Sequence, residues 1–376
     1  MKNKKLWIIA GIVAVAAIAF GYVMYKGRPV QTGEKPTIRI AQMLPLTGDK
    51  AVFGTTSAAV AEMFIAEWRE KNPNAKYNYE IVYENVQTPA EATTGLNRLA
   101  SLKEVDATYT FITGLSLALS PVTEKNKIVH LSYSLDDHAA IGEYNYILKP
   151  DVGAAMEKLL EHLYDIGKRK IALIVASDGG PAANGKEFMN VFSKQNKIAM
   201  VGEPHYINTG EKDFRILLQK IKNSGADAIV YMAVPPEADI LIFQARQMNL
   251  GIDITGYHTI NMVKDKKTVE GMWNIDEPLI NPDFAKRIMS AAKTETTYYS
   301  EHTWTILSVL FAAFESAPAK PGFKPAAIDV AKQIPIVARG MQNPMGTLGV
   351  DADGNVVLPA PTVQKIVNGK IMTMVK

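Results

Sequence analysis

Residues 170–201 read KIALIVASDGGPAANGKEFMNVFSKQNKIAMV, and the order of residue types in them decides the architecture. After Lys170 the run IALIVA (171–176) is apolar without alternation. A strand with one wet face alternates polar and apolar residues; a continuous apolar strand is covered on both faces, as in a parallel sheet with helical crossovers. The cluster Ser177-Asp178-Gly179-Gly180-Pro181 stops the strand, residues about 184–195 take up a helical period, and 198–203 form the next strand. The rhythm continues with a helix about 211–223, strand 227–232 (DAIVYM), a helix about 236–249 and strand 252–257.

The first half carries the same alternation. Strand 37–44 (TIRIAQML), helix about 52–70, strand 78–84, helix about 89–103, strand 107–112, helix about 115–125 and strand 127–132 follow one another. Two such units predict an α/β chain of two doubly wound parallel-sheet lobes. The pivot falls at Lys149-Pro150, because proline favours an extended residue before it and Asp151 can cap the helix that follows.

Beyond 257 the order changes to helices about 281–293, 297–317 and 325–333, then strands 346–350, 354–358 and 362–367, with Asp353-Gly354 and Asn368-Gly369 as hairpin turns. Such a tail implies that the chain returns to the first lobe and recrosses. We expect residues 37–149 and 258–338 in lobe 1, and 150–257 and 339–376 in lobe 2, joined by a multi-strand hinge. The cleft then lies at the carboxyl ends of both sheets.

The 376 residues are 47% hydrophobic and 21% charged, an ordinary globular balance, and contain no cysteine, which removes thiolate metal sites and cysteine nucleophiles. Residues 1–30 hold five of the 41 basic residues and no acid, leaving a body of 36 bases against 38 acids with no Lys/Arg cluster. No nucleic acid is expected as a partner. Lys2, Lys4 and Lys5 precede the uncharged run 6–25 (LWIIAGIVAVAAIAFGYVMY). As a helix it is about 30 Å long, the thickness of a bilayer core. Residues 1–30 are therefore a secretory signal peptide, with Ala17-Ile18-Ala19 as a cleavage pattern, or an uncleaved membrane anchor; both put the body outside the cytoplasmic membrane.

Three local patterns suggest chemistry. Gly180 to Lys186 has the G-x-x-x-x-G-K spacing of a phosphate loop, but Glu187 stands where the magnesium-holding hydroxyl belongs, and a glycine-rich turn with Asn184 as helix cap is the plainer reading. Thr113-Gly114-Leu115-Ser116-Leu117-Ala118 approaches a nucleophile elbow but has Ala118 in place of glycine; the alternative is a first helical turn whose N–H groups and Ser116 hydroxyl face the cleft. Asp136-Asp137 either binds an ammonium group or a metal, or caps the helix after the strand. The six histidines show no metal spacing, and the pattern calls for no cofactor.

Four segments together resemble one known family. IRIAQMLPLTGDKAVFG (38–54) is similar to the first strand and glycine-paired loop of the type I periplasmic binding proteins of the branched-chain amino acid class. FITGLSLALSPVTEKNKIVHLSYS resembles their pocket strand, turn and helix, TYYSEHTWTILSVLFAAFESA their long first-lobe helix, and MGTLGVDADGNVVLPAPTVQKIVNGK their closing strands. The resemblance covers about residues 37–372. It implies a non-catalytic, extracytoplasmic solute-binding component of an ABC transporter, with a permease as partner. It places Leu115, Ser116, Ser134 and Asp136 at the ligand head group, Phe53 against the ligand side chain, Asn184 and Val234 near two pocket tyrosines, and Tyr257 near the ammonium-binding acid. The chain departs from the family at Asp136, where threonine is usual, at 184 and 234, where tyrosines are usual, and at 257, where no acid stands. A cationic, amide-like or aromatic solute thus stays open beside an amino acid. The alternatives are a membrane-tethered sensor, or a serine hydrolase centred on Ser116.

Overall fold

The computed structural model describes residues 35–374 apart from 178, 296 and 298. The apolar run 6–25 lies outside them, and among the described residues no helix is long and apolar enough to cross a membrane.

The first half builds β1 (Thr37–Leu44), α1 (Ala51–Lys71), β2 (Asn78–Asn85), α2 (Pro89–Leu102), β3 (Ala107–Tyr109), α3 (Thr113–Asn126), β4 (Val129–Tyr133) and β5 (Asn145–Lys149). These strands pair in parallel in the order β2-β1-β3-β4-β5. Alternate residues of β1 enter opposite cores: Ile38, Ile40 and Leu44 pack with Phe64 and Phe311, whereas Ala41 and Met43 pack with Leu96, Leu99 and Leu119. Both faces being covered is why the strand is mostly apolar, with Arg39 and Gln42 as its polar interruptions.

The chain then forms α4 (Val152–Asp165), β6 (Lys170–Ala176), α5 (Gly179–Phe192), β7 (Ala199–Met200), β8 (His205–Ile207), α6 (Arg215–Asn223), β9 (Ala228–Met232), α7 (Glu237–Gln247) and β10 (Asp253–Thr255). The second sheet runs β10-β9-β6-β7, with β8 also on β6, all parallel. Again β6 splits between two cores, with Ala172 and Ile174 on one side and Ile171, Leu173 and Val175 on the other. As expected, Asp151 starts α4: its Oδ1 accepts from Ala154 N at 2.9 Å.

The tail consists of α8 (Thr259–Met262), β11 (Trp273–Asp276), α9 (Pro282–Ala292), α10 (Glu301–Ser316), α11 (Ala327–Ala338), β12 (Gln342–Asn343), β13 (Gly346–Thr347), β14 (Gly349–Val350), β15 (Val356–Val357), β16 (Thr362–Val367) and β17 (Lys370–Thr373). Helices α10 and α11 complete the first sheet's core, while β11, β16 and β17 form an antiparallel sheet whose Ile366 and Ile275 enter the second lobe's cores. Strands β14 and β15 do not follow the expected division at 339. Val356 and Val357 pair in parallel with Leu148 and Lys149 of β5, so this segment extends the first sheet, and residues 258–276 run with the second lobe instead. The cause is the parallel edge of β5, which offers free backbone groups that β15 fills, and Asn355 Oδ1, which accepts from Ile147 N. The chain thus crosses between lobes after β5, after β11 and after β15. Of the two expected turns, Asn368-Gly369 is a two-residue hairpin with both φ angles positive, whereas Asp353-Gly354 sits in a longer loop held by Asp351.

Candidate functional site

The carboxyl ends of both sheets and the amino ends of α3 and α5 face one region. Gly180, in the first turn of α5, lies against lobe 1: a Cβ placed there would stand 2.8 Å from Leu135 Cδ1 and 3.8 Å from Thr113 Oγ1. One turn on, a Cβ at Gly185 would stand 2.6 Å from Val175 Cγ1. The two glycines of the phosphate-loop spacing therefore serve close approach, one between lobes and one between helix and strand. Because α5 starts at Gly179, Asn184 lies inside the helix and not at its cap.

On the lobe 1 side, Ser134 and Asp136 come together with Ser116 beside Tyr133, whereas Leu115 is buried in the core with Leu96 and Leu119. Ser116 is fully buried; its Oγ donates to Ser132 Oγ at 2.7 Å and also lies 3.3 Å from Tyr133 O. The hydroxyl is thus turned into the lobe, and its partners include no histidine, so the arrangement offers nothing to activate it as a nucleophile. Ser134 Oγ and the Asp136 backbone bond one another at 2.9 and 3.1 Å. Asp136 caps the short turn 137–139, accepting from His138 N at 2.9 Å, with His138 Nδ1 at 2.6 Å. Burial pushes its carboxyl up, but the His138 bonds and the facing Lys186 of lobe 2 outweigh that and hold it below the usual range. Phe53 sits in the first turn of α1, its ring edge-on to Phe111 at 6.3 Å.

On the lobe 2 side, Asn184, Val234 and Tyr257 stand on separate elements. Asn184 is 4% exposed and its Oδ1 has no hydrogen-bond partner; Tyr257 is 1% exposed and its hydroxyl has none either. Val234, just past β9, is partly buried and accepts from Ala238 N through its carbonyl. The acid that no residue at 257 supplies is nearby in space: Asp276 ends β11 and Glu277 follows it, and His258 and His302 bind them. The grouping of these four residues carries no motif in the sequence; the signal available was a carboxylate pair at a strand end. A separate surface cavity of about 590 Å³ lies beside β10, lined by Arg246, Ile252, Trp273 and Lys365 among others, at the strand ends away from the facing helix starts. Among the described residues no cluster of three or more His, Asp or Glu is arranged to hold a metal.

The comparisons with known proteins agree with this geometry. The sequence profile described as "Periplasmic binding protein" matches residues 37–370. A Leu/Ile/Val-binding protein homolog of Brucella suis is 23% identical over 380 residues, covering 95% of each chain. With a homolog from Brucella abortus the match is 24% over 256 residues, spanning 65% of this chain and 64% of that one. Among solved structures, a leucine-binding protein, LivK, of Thermotoga maritima superposes with a TM-score of 0.75 at 19% identity, over 90% of this chain and 98% of that one. A solute-binding protein of an ABC transporter from R. palustris, in complex with benzoate, superposes with a TM-score of 0.74 at 14% identity, over 90% and 95%. The profile match spans nearly the whole described chain, and the chain belongs to the periplasmic binding protein family, with the type I fold of the leucine-binding protein it superposes on.

Proposed function

We propose that the chain is the extracytoplasmic solute-binding component of an ABC-type uptake system, closing its two lobes on a small polar organic solute and presenting the closed form to a permease. The observation that carries the reading is the contact of Gly180 with Leu135 and Thr113, which brings the starts of α5 and α3 together across the lobes. Helix starts present free N–H groups, a ready receptor for a carboxylate or carbonyl oxygen. Lobe 1 contributes Phe53, the Ser134 backbone and Asp136, with Ser116 holding the α3 turn to β4 through Ser132 and Leu115 seating that turn in the core; lobe 2 contributes Asn184, Val234 and Tyr257. Asp136 is occupied by His138, so its charge is partly answered before any solute arrives. The R. palustris neighbour holds benzoate and another neighbour, LivJ of Streptococcus pneumoniae, holds isoleucine; a carboxylate-bearing solute, amino acid or aromatic acid, is the favoured class.

A thermal-shift panel of branched-chain amino acids, aromatic acids, amides and polyamines tests this. A solute at about 100 times its Kd adds roughly 2.7 kcal/mol to the folded state, several degrees in midpoint. Stabilisation by a carboxylate class, lost when its carboxylate is amidated, supports the reading; stabilisation by polyamines alone overturns the assigned class, and none by any panel member removes the uptake role.

A further inference from the structure

Where the chain recrosses between lobes, four ionisable side chains are buried together. Glu277, just past β11, is 6% exposed, Asp276 5%, His258 7% and His302 0%. His302 belongs to α10 of lobe 1, and its Nε2 reaches Glu277 Oε2 at 2.7 Å. Tyr133, at the end of β4 in lobe 1, donates to Glu277 Oε1 at 2.7 Å. His258 Nδ1 meets Asp276 Oδ1 at 2.5 Å, and Tyr299 Oη stands 3.1 Å from the same nitrogen. Asn261 donates to Asp276 Oδ2 and to Gln364 Oε1, and Gln364 in turn donates to Glu277 O.

Donor counting assigns the protons. His302 Nδ1 faces Tyr299 O at 2.9 Å, and Nε2 faces a carboxylate oxygen. Both partners only accept, so the ring satisfies both only as an imidazolium. His258 likewise faces Asp276 on Nδ1, while Nε2 is 3.5 Å from Tyr133 Oη, whose proton is committed to Glu277, and 3.8 Å from Glu277 Oε1. A protonated His302 thus balances Glu277 across the lobe boundary, while His258 and Asp276 pair within lobe 2.

We propose that the His302–Glu277 pair, with Tyr133 on the same carboxylate and His258–Asp276 packed behind it within lobe 2, forms a proton-linked interlobe latch, which holds the lobes together while His302 is protonated and releases them as it loses its proton. Burial lowers both histidine pKa values, but Asp276 for His258 and Glu277 for His302 more than reverse it, and both end above the ordinary value. Burial likewise pushes Glu277 up, and His302, His258 and Tyr133 more than reverse it. The raised histidines give stability present in full below their ordinary value and lost as pH rises through the raised one. The lowered Glu277 gives stability present above its ordinary value and lost as pH falls through the lowered one. The latch is therefore fully engaged between about pH 4.3 and 6.5. Other groups facing it are Glu301 of α10, Lys266, whose Nζ donates to Asn261 O and Val263 O, Asp151 beyond Tyr257, and the hydroxyls of Tyr133, Tyr257 and Tyr299, which burial keeps neutral.

The test uses the whole chain without added solute, so its answer is separate from that of the solute panel. Histidine ring titration by NMR is combined with small-angle scattering and thermal unfolding from about pH 6.5 to 9. Two imidazoles should titrate above the ordinary value, with the radius of gyration rising and the unfolding midpoint falling by several degrees over the same range. In His302→Gln, which keeps a donor towards Glu277 but cannot change its charge, that upper limb should flatten. Ordinary titration of the His302 ring, or a radius and midpoint that stay constant while it titrates, overturns the proposal. If His302→Gln does not fold, the wild-type titration and scattering alone decide it.

Discussion

A side chain added at Gly180 separates binding from folding. Gly180 lies in the first turn of α5 and is not among the glycines with positive φ, so the backbone there accepts a Cβ. That Cβ would meet Leu135 Cδ1 of the opposite lobe at 2.8 Å, about 1 Å inside a comfortable carbon contact. The methyl end of Leu135 can swing, so Gly180→Ala strains the closed form at the low end of overpacking, about 1 kcal/mol, which is roughly fivefold in Kd. Gly180→Phe cannot be absorbed by one rotamer and acts as a wedge between lobes, at about 3 kcal/mol, or roughly a hundredfold in Kd. Neither change buries polar groups or opens a cavity, so the unfolding midpoint without solute should be unchanged within a degree or two in both variants. The assay is calorimetric titration with whichever solute the thermal-shift panel identifies, beside urea unfolding of the free protein. Unweakened binding by the phenylalanine variant would refute the claim that closure brings Gly180 onto Leu135.

Three further outcomes follow from the described contacts. Phe311, fully buried, stacks on Tyr79 at 3.6 Å and meets Phe64 and Trp68 edge-on at 5.0 and 5.2 Å, so Phe311→Ala should cost about 3–5 kcal/mol in denaturant unfolding; a loss under about 1 kcal/mol contradicts the packing. His130 is fully buried, with Nδ1 2.9 Å from Asn145 Oδ1 and Nε2 unpartnered, and burial pushes its pKa down to about 4. The unfolded chain then takes up a proton that the folded one refuses, so stability falls between about pH 6.5 and 4 by about 3 kcal/mol; a His130→Gln variant that keeps the same acid slope would dismiss that histidine as its source. Asp151→Ala removes the acceptor from Ala154 N at the first crossing and should cost about 1 kcal/mol by urea titration, against no change if the cap is idle.

Strands β1, β6 and β9 were legible because each is buried on both faces, which leaves an apolar run that no helix period or half-wet strand produces. The edges were less so. β5 (NYILK) carries polar ends, and β8 (HYI) is only three residues long and half-wet, so neither stands out from its flanks. The destination of 349–357 was hidden for another reason: hairpin signals report a local turn and say nothing of which sheet edge a strand will fill. At the site, the resemblance pointed to the turn after β3 and the strand end of β4. Side-chain direction did not follow, and Ser116, expected to face the cleft, bonds inward to Ser132. The His258–Asp276 and His302–Glu277 pairs are 18 and 25 residues apart, distances at which no periodicity operates, so only tertiary structure brings them together.

The pairing of β15 with β5 also orders events in time. Ile147 N and Asn355 Oδ1 are 208 residues apart, and the first core needs α10 and α11 as well. The second sheet, by contrast, is one uninterrupted segment from β6 to β10. During synthesis the ribosome therefore releases a complete second sheet about 100 residues before the last strand of the first, an interval of about 5–20 s at ordinary elongation rates. Until α10 and α11 emerge within that interval, the sheet face that they complete is covered by α1 alone, and it is this N-terminal half, made first and finished last, that most needs a holding chaperone.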